Sequence, residues 1–330
     1  MSLFQSIRDA FNQDLGEGDM NFQQLRIIRE AVRRDYNLTE VAHALFTSQP
    51  GVSKHIKDIE DELGVEIFVR RGKRVLGLTE PGKELVGVVE RMLLDAQNLQ
   101  RIADQFSTTD VGPLVIATTH TQSRYVLPAI IRQFRQHFPR VHLVLHQGSP
   151  QEIADLLLQD KADIGISTEG LSGLSELATF ACYHWHHAVI VPEGHPLAEL
   201  ETLTLSEVAR YPIITYHPGF TGRTHIDQAF AEAGLSPEIV LSAIDSDVIK
   251  TYVDAGMGIG IITERAFDAD KDKGLLRLST GELFAASTTR LALRRGRYLR
   301  GYVYRFIEHV IPGLNEEDIY RQLQDGLDLD

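Results

Sequence analysis

Residues 44–64 read ALFTSQPGVSKHIKDIEDELG, and their pattern predicts a helix that begins just after a tight turn. Apolar side chains recur at Val52, Ile56, Ile59 and Leu63, and this three-and-four spacing indicates one buried helical face. The ends carry ordinary start and stop residues, which are Thr47 or Ser48 as the cap, Pro50 in the first turn and Gly64 after the last turn. A shorter helix, predicted over 40–45 with Thr39 as its cap, precedes the turn. Two helices joined in this way predict a helix-turn-helix.

The flanks of this stretch extend the pattern in both directions. Phe22, Leu25, Ile28 and Val32 recur at helical spacing and predict a preceding helix. Two short apolar runs within residues 65–78 flank a basic turn at Gly72, which predicts a hairpin, or wing. A helix predicted from Thr79 to about Phe106 is long and amphipathic, which is typical of a dimerising linker.

The pattern changes at Gly112 to short apolar runs that alternate with helical segments. Such alternation predicts parallel βαβ units. The predicted strands are 114–117, 141–146, 162–167, 188–191, 213–215, 239–243 and 260–263, and the first predicted helices are 123–137 and 150–159. With chain crossovers near Phe180 and Ala266, the body is expected to form two small lobes around a cleft.

The predicted fold class is therefore α/β with an all-α N-terminal part. An N-terminal extension (1–19) precedes the winged helix-turn-helix (20–82) and a linker helix (83–108). A two-lobed α/β domain (109–312) follows, with one lobe from 112–180 and 267–312 and the other from 181–266. An acidic tail (313–330) is expected to fray.

Charge is distributed unevenly along the 330 residues. The chain has a formal net charge of −13, which by itself disfavours a nucleic-acid partner. Residues 20–81 nevertheless have a net charge of about +1, and their basic side chains cluster on the predicted helix and wing. No apolar run is long enough to span a membrane. Cys182 is the only cysteine, so an internal disulfide is excluded and the cytoplasm is expected.

Residues 20–82 resemble the winged helix-turn-helix of LysR-type transcriptional regulators. The motifs that carry this resemblance are ALFTSQPGVSKHI (44–56), LGVEIFVR (63–70) and LTEPG (78–82). Four further motifs resemble the CysB-like branch of that family, and they are IATTHTQ (116–122), HQGSP (146–150), CYHW (182–185) and GFTGR (219–223). The resemblance covers about residues 20–312, and its body is the architecture of periplasmic binding proteins.

The resemblance implies a regulator of sulfur assimilation and cysteine biosynthesis that acts in the cytoplasm with the nucleoid. Its implied effector is acetylserine, sulfate or thiosulfate, and its implied partners are double-stranded promoter DNA, RNA polymerase and further copies of itself in a dimer of dimers. No enzyme activity, cofactor, metal or membrane partner is expected. One alternative is a LysR-type regulator of another pathway that senses a different small anion. A solute-binding protein or an enzyme built on the body alone is disfavoured by residues 20–82 and by the lack of a paired base and nucleophile.

The candidate DNA-binding residues lie on the predicted second helix and on the wing. A recognition helix reads base edges with its N-terminal residues, where Gln pairs with adenine and Lys donates to guanine, while wing arginines hold phosphates. The candidates are Thr47, Ser48, Gln49, Pro50, Ser53, Lys54, Lys57, Arg70, Arg71, Lys73 and Arg74, and Arg33 and Arg34 could add to them. The alternative is that these charges form only a solvated face.

The candidate effector residues begin with Thr118-Thr119-His120-Thr121-Gln122, which follows a strand and opens a helix. Free backbone amides and hydroxyls at such a junction suit a small anion without a Lys or Arg. By resemblance, the effector-binding positions are Thr119, Thr121, Gln122, Thr168 and Thr221, with Trp185 lining the cleft. The alternative is that the threonines only cap helices. His184, His186 and His187 could suggest a metal, but adjacent residues of a strand point to opposite faces, and no metal is expected.

Overall fold

The structure is a computed structural model that describes residues 20–72, 74–107, 110–220 and 222–325. The predicted N-terminal extension (1–19), two of the candidate residues (Lys73 and Thr221) and the end of the tail (326–330) lie outside the described residues. The chain divides into two compact units, one up to residue 100 and one from residue 101. No helix within the described ranges is long and apolar enough to cross a bilayer.

The N-terminal unit is a winged helix-turn-helix, as the sequence predicts. Its elements are α1 (Phe22–Arg33), α2 (Leu38–Ala44), α3 (Gln49–Leu63), β1 (Phe68–Arg71), β2 (Arg74–Leu78) and the first part of α4 (Glu80–Ser107). One core joins the three short helices to the hairpin, with Ile28, Val41, Ile56 and Phe68 fully buried. The predicted cap of α2 was wrong, because the Asn37 side chain accepts from the two amides that follow Leu38.

The C-terminal unit contains two five-stranded sheets. Its strands are β3 (Gly112–Thr118), β4 (Val141–Gln147), β5 (Ile164–Ser167), β6 (Leu177–Trp185), β7 (His187–Pro192), β8 (Ile213–Tyr216), β9 (Ile239–Ala243), β10 (Ile259–Thr263), β11 (Leu275–Leu278) and β12 (Ser287–Arg294). Its helices are α5 (His120–Tyr125), α6 (Leu127–His137), α7 (Pro150–Leu158), α8 (Leu205–Val208), α9 (Arg223–Glu232), α10 (Ser246–Asp254), α11 (Gly301–Val310) and α12 (Glu316–Gln324).

The two sheets define two lobes. Both sheets are mixed, whereas the sequence predicted parallel strands. Lobe I has the order β4-β3-β5-β12-β6, and lobe II has the order β11-β7-β10-β8-β9. The chain passes from lobe I to lobe II at His186, between β6 and β7, and returns between β11 and β12. The predicted crossovers near Phe180 and Ala266, and with them the predicted lobe boundaries, were therefore wrong. The strands β7 and β12 each begin at a crossover, on the edge where their neighbours β10, β5 and β6 end, so they pair antiparallel with those neighbours.

Two other predicted segments differ from the structure. The single helix predicted over 123–137 is two helices that meet at Val126. Pro128 explains the break, because it has no amide to donate back into α5. The tail does not fray as far as residue 325, because α12 buries Ile319 and Leu323 in the core of lobe I. Each such side chain contributes about 1.5–3 kcal/mol by leaving water.

Candidate functional site

The N-terminal end of α3 exposes its polar face. Ser48 caps the helix, since its Oγ accepts from the Gly51 amide at 3.2 Å. Val52, Ile56 and Ile59 bury the opposite face, which leaves the candidate base-reading residues on the open side. The open side carries Pro50, Lys54 and Lys57, which are exposed, and Thr47, Gln49 and Ser53, which are half-buried. Gln49 Nε2 donates to Ser53 Oγ at 3.0 Å, so these two side chains are preorganised together.

The wing arginines fall into two groups. Arg70 Nη2 donates to Glu60 Oε2 at 2.5 Å, and the other oxygen of Glu60 accepts from the amides of Ile67 and Phe68. This carboxylate therefore ties α3 to the start of the wing, and Arg70 is partly committed to the fold. Arg71 and Arg74 face each other across the hairpin and are exposed, as phosphate contacts require.

Arg33 and Arg34 are paired with acids of the same unit. Arg33 Nη2 lies 3.3 Å from Glu90 Oε1, and Arg34 Nε lies 3.3 Å from Glu30 Oε2. The two arginines line a surface cleft of about 720 Å³ together with Gln49 and Arg74. Asp35 and Glu40 line the same cleft, so its surface is mixed in charge. The recognition helix, the wing and α1 meet there, and its arginines are the groups that could hold a phosphate.

A second candidate site lies at one edge of the lobe I sheet. β3 and β5 end at this edge, where Thr118 pairs with Ile166, and β6 ends there opposite the first residue of β12. Both crossovers to lobe II leave from the same edge, because β6 leads into His186 and the chain returns through Ser287. The carboxyl ends of strands are where open α/β sheets bind ligands.

The three threonines of residues 118–122 differ in the hydrogen bonds that their hydroxyls make. Thr118 Oγ1 donates to the Ile166 carbonyl at 3.0 Å, so this hydroxyl is used by the sheet. Thr119 is the cap residue of α5, but its side chain makes no capping hydrogen bond. Thr121 is 3% exposed, and its Oγ1 has no hydrogen-bond partner among the described residues. Helix capping therefore does not account for Thr119 or Thr121.

Gln122 is held by two strands that sequence analysis did not predict. Its Nε2 donates to Thr289 Oγ1 at 3.2 Å, and its Oε1 accepts from the Tyr183 hydroxyl. The Arg265 guanidinium of lobe II lies 4.2 Å from the centre of the Tyr183 ring. Burial raises the pKa of Tyr183, so its hydroxyl remains a donor. Tyr183 lies within the CYHW motif, and that motif was the one sequence signal for it.

Trp185 lies where both lobes meet. It is 2% exposed, and its Nε1 has no partner among the described residues. Gly222 of lobe II approaches it, since a Cβ added there would lie 3.2 Å from the Trp185 ring and 2.6 Å from Ser287 Oγ. Gly222 also has a φ of +67°, so two independent constraints require glycine here.

Two further hydroxyls lie at the end of β5. Thr168, predicted from resemblance, is buried, and Ser167 before it is fully buried with an Oγ that has no partner in the described part of the chain. Sequence analysis missed Ser167, although its position at a strand end was a usable signal. Thr121, Ser167 and Trp185 thus place three buried polar atoms without a partner at one sheet edge, and such atoms call for water or a ligand.

The two lobes also touch through an interlobe latch, formed by Arg124 and Tyr125 of α5 with Asp247 and Lys250 of α10. The Tyr125 hydroxyl donates to Asp247 Oδ1 at 2.7 Å, and Arg124 Nε donates to Oδ2 at 3.2 Å. Lys250 Nζ lies 3.2 Å from Oδ1. Burial would raise the pKa of Asp247, but hydrogen bonds from Tyr125 and Lys250 and the nearby cations lower it overall.

A group of possible metal ligands adjoins this latch. Atoms of His120, Asp245 and Asp247 lie within 4.8 Å of one another. Both carboxylates are already used by the fold, since Asp245 caps α10 through the Val248 amide and Asp247 faces two cations. This arrangement disfavours a further cation. His184 instead faces Thr288 Oγ1 at 2.9 Å through its Nδ1.

Cys182 is half-buried and packs against the core of lobe I. Burial raises the pKa of its thiol to about 12. Because the thiolate is the nucleophilic form, Cys182 is unsuited to covalent chemistry in the folded protein.

Comparison with known proteins covers both units. Residues 22–83 match "Bacterial regulatory helix-turn-helix protein, lysR family", and residues 107–314 match "LysR substrate binding domain". The transcriptional regulator SsuR of Burkholderia cenocepacia is 61% identical over 308 residues, which cover 93% of this chain and 100% of SsuR. The regulator CysB of the same organism is 52% identical, over 92% of this chain and 97% of CysB.

A solved structure matches the C-terminal unit. The crystal structure of the cofactor-binding domain of the Cbl transcriptional regulator superposes with a TM-score of 0.64 at 51% sequence identity. The match covers 66% of this chain and 95% of that domain.

Proposed function

The chain belongs to the LysR family of DNA-binding transcriptional regulators, and on that premise we propose that it controls genes of sulfur assimilation and cysteine biosynthesis. The protein is a regulator and not an enzyme. The pathway assignment rests on the four body motifs and on the kinship with SsuR, CysB and Cbl across nearly the whole chain. Its proposed DNA partner is the promoter region of those genes.

The proposed effector is acetylserine, or sulfate or thiosulfate as a related anion, bound at the lobe I edge. The observation that carries this proposal is the buried Thr121 hydroxyl without a partner, beside Thr119, whose side chain does not cap its helix. Hydroxyl, amide and indole donors can hold a small oxyanion or carboxylate by hydrogen bonds alone. No cofactor or metal is part of the proposal.

Effector binding is proposed to act by changing the relative stability of two lobe arrangements. A ligand can shift such an equilibrium only by the difference between its affinities for the two states. Lobe II contacts the elements that carry the proposed site through Gly222, Arg265 and the interlobe latch. The same elements would therefore contact both the ligand and the other lobe. That sharing gives an effector a physical means of favouring one arrangement.

The active assembly is proposed to be a dimer of dimers that also contacts RNA polymerase. The support within the N-terminal unit is a stripe of exposed apolar side chains on α4. Val88, Met92 and Leu99 are 42%, 37% and 71% exposed at heptad-compatible spacing. A helix with such a stripe gains stability by packing against a second copy.

Calorimetry with acetylserine, sulfate and thiosulfate tests the effector site. Thr121→Val keeps the shape of the side chain and removes the hydroxyl, so affinity for the preferred effector should fall about tenfold, the value of one hydrogen bond. Thr202→Val is the matched control, because Thr202 is an exposed threonine of lobe II and should bind as the parent does. Equal affinity in the parent and Thr121→Val would rule out this site.

The pathway has its own test. Footprinting at promoters of sulfur-assimilation genes should show protection that changes when acetylserine is added. If the protein binds none of the three effectors and protects none of these promoters, the alternative stands, namely a regulator of another pathway that senses a different small anion.

A further inference from the structure

Phe46 occupies an unusual backbone position between α2 and α3. Its amide donates to the His43 carbonyl at 3.3 Å, and the Thr47 amide donates to the Ala42 carbonyl at 2.9 Å. These two bonds close the end of α2 in the pattern known as a Schellman motif, with Phe46 in the left-handed position. Its φ is +52°.

Neither the backbone nor the core explains a phenylalanine here. The left-handed position at a helix end is normally filled by Gly or Asn, because a bulky side chain is strained there. The Phe46 side chain is 99% exposed, whereas Ile28, Ile56 and Phe68 of the same unit are fully buried. The ring therefore adds no packing to offset the strain. Strain that persists without local benefit is typical of a functional position.

The position lies beside the base-reading end of α3. Phe46 precedes the cap residue Ser48 by two residues, so at most about 7 Å separate their Cα atoms. Thr47, Ser48 and Gln49 follow directly, and the N-terminal residues of a recognition helix are the ones that meet base edges. The exposed ring of Phe46 therefore adjoins the residues that enter the groove.

We propose that Phe46 is a specificity-determining residue whose ring contacts the C5-methyl group of a thymine in the major groove. Phenylalanine has no hydrogen-bonding or charged group with which to hold a phosphate. The thymine methyl is the one apolar group that base pairs present in the major groove. The proposed partner is thus an A·T pair next to the bases that α3 reads.

Replacement of thymine by 2′-deoxyuridine tests the contact, since it removes only that methyl group. The probe is a duplex that the full-length parent selects from a random-sequence pool, prepared with thymine or with 2′-deoxyuridine. The parent should prefer the thymine duplex. Phe46→Asn suits the left-handed backbone, so it should melt at or above the parental temperature while losing about fourfold of that preference, the value of one buried methyl group. Phe46→Tyr keeps the ring and should retain the preference.

Two results would overturn the proposal. One is a Phe46→Asn protein with the parental preference for thymine. The other is an equal loss of affinity on both duplexes, which would place the ring against the sugar–phosphate backbone. Phe46→Gly is the second variant should the Asn protein not fold, and Tyr320→Asn is the control, because Tyr320 is an exposed aromatic residue of α12 in the other unit.

Discussion

At the scale of single residues, the hydrogen bonds already made within the protein separate structural groups from groups left for a ligand. Thr118 and Thr121 are the same residue type three positions apart, yet only the Thr118 hydroxyl is used by the sheet. Arg70 and Arg71 are neighbours, yet only Arg70 is bonded to Glu60. Sequence spacing could not make either distinction, because it depends on partners distant along the chain.

The two wing arginines should respond differently to truncation. Arg71→Ala should weaken binding to all duplexes and reduce the slope of log affinity against log salt by about 0.9, the contribution of one phosphate contact. Arg70→Ala should instead lower the free energy of unfolding by about 1–3 kcal/mol, because it removes the charged partner of buried Glu60. Binding titrations at several salt concentrations and thermal melts measure the two effects. An Arg71→Ala protein with the parental salt slope would contradict the assignment.

Cys182 offers a chemical test of burial. With its pKa raised to about 12, the thiol should react with iodoacetamide at pH 8 far more slowly in the native protein than in denaturant. Because the chain has one cysteine, the modified mass reports on this site alone. Rapid alkylation of the native protein would show that this part of β6 opens readily.

At the scale of elements, breaks and crossovers between helices and strands shape the site. Pro128 separates α5 from α6, so α5 is a short helix that carries Thr121 and Gln122 at its start and Tyr125 at its end. The proposed effector motif and the α5 residues of the interlobe latch thus lie on one short helix. Sequence periodicity predicted one long helix here and did not show this connection.

The α4 helix carries the prediction about assembly. Leu99→Glu would place a charge in the apolar stripe, and burial of that charge on association is costly, so self-association should weaken at least tenfold. Sedimentation velocity over a concentration series measures the change. Gln100→Glu adds the same charge to an adjacent exposed position outside the stripe and should assemble as the parent does. Parental assembly by Leu99→Glu would exclude the stripe from the interface.

At the scale of the whole molecule, net charge differs between the N-terminal region and the body, and the two lobes of the body contact each other. The net charge of −13 lies in the body and tails, while residues 20–81 are slightly basic. The interlobe latch joins α5 to α10, so it depends on how the two lobes are placed. The charge distribution bears on DNA binding, and the interlobe latch bears on lobe closure.

Asp247→Asn should weaken the interlobe latch and leave the proposed effector residues unchanged. If the latch stabilises the effector-competent arrangement, apparent affinity for the effector should fall a few-fold, in proportion to the population of that arrangement. Glu207→Gln, in an exposed ion pair of lobe II, is the matched control. Unchanged affinity in Asp247→Asn would show that the latch does not contribute.

The latch also predicts a pH dependence. The pKa of Asp247 is lower in the folded protein, so its contribution to stability is present above the ordinary carboxylate range and is lost as pH falls through the lowered value. Between pH 5 and pH 3 the parent should therefore lose more stability than Asp247→Asn. Parallel melting curves for the two proteins over this range would contradict it.

Local patterns in the sequence were sufficient for much of this protein. Caps, apolar spacing and the basic turn predicted the winged helix-turn-helix, and the alternation of strands and helices predicted an α/β body. These features depend on residues a few positions apart, where backbone sterics and side-chain periodicity act directly. The motif residues 118–122 were also recognisable, because a strand that ends before a helix is a local event.

Only the tertiary structure determined the crossovers, the mixed sheets and the hydrogen-bond partners within the cleft. Tyr183 and Thr289 reach Gln122 through strands whose pairing spans more than a hundred residues of chain. The tail residues Ile319 and Leu323 pack into the core of lobe I. The acidic composition of the tail does not indicate this packing. Long-range pairing and burial depend on which surfaces meet after folding, and that information is not present in any single segment of the sequence.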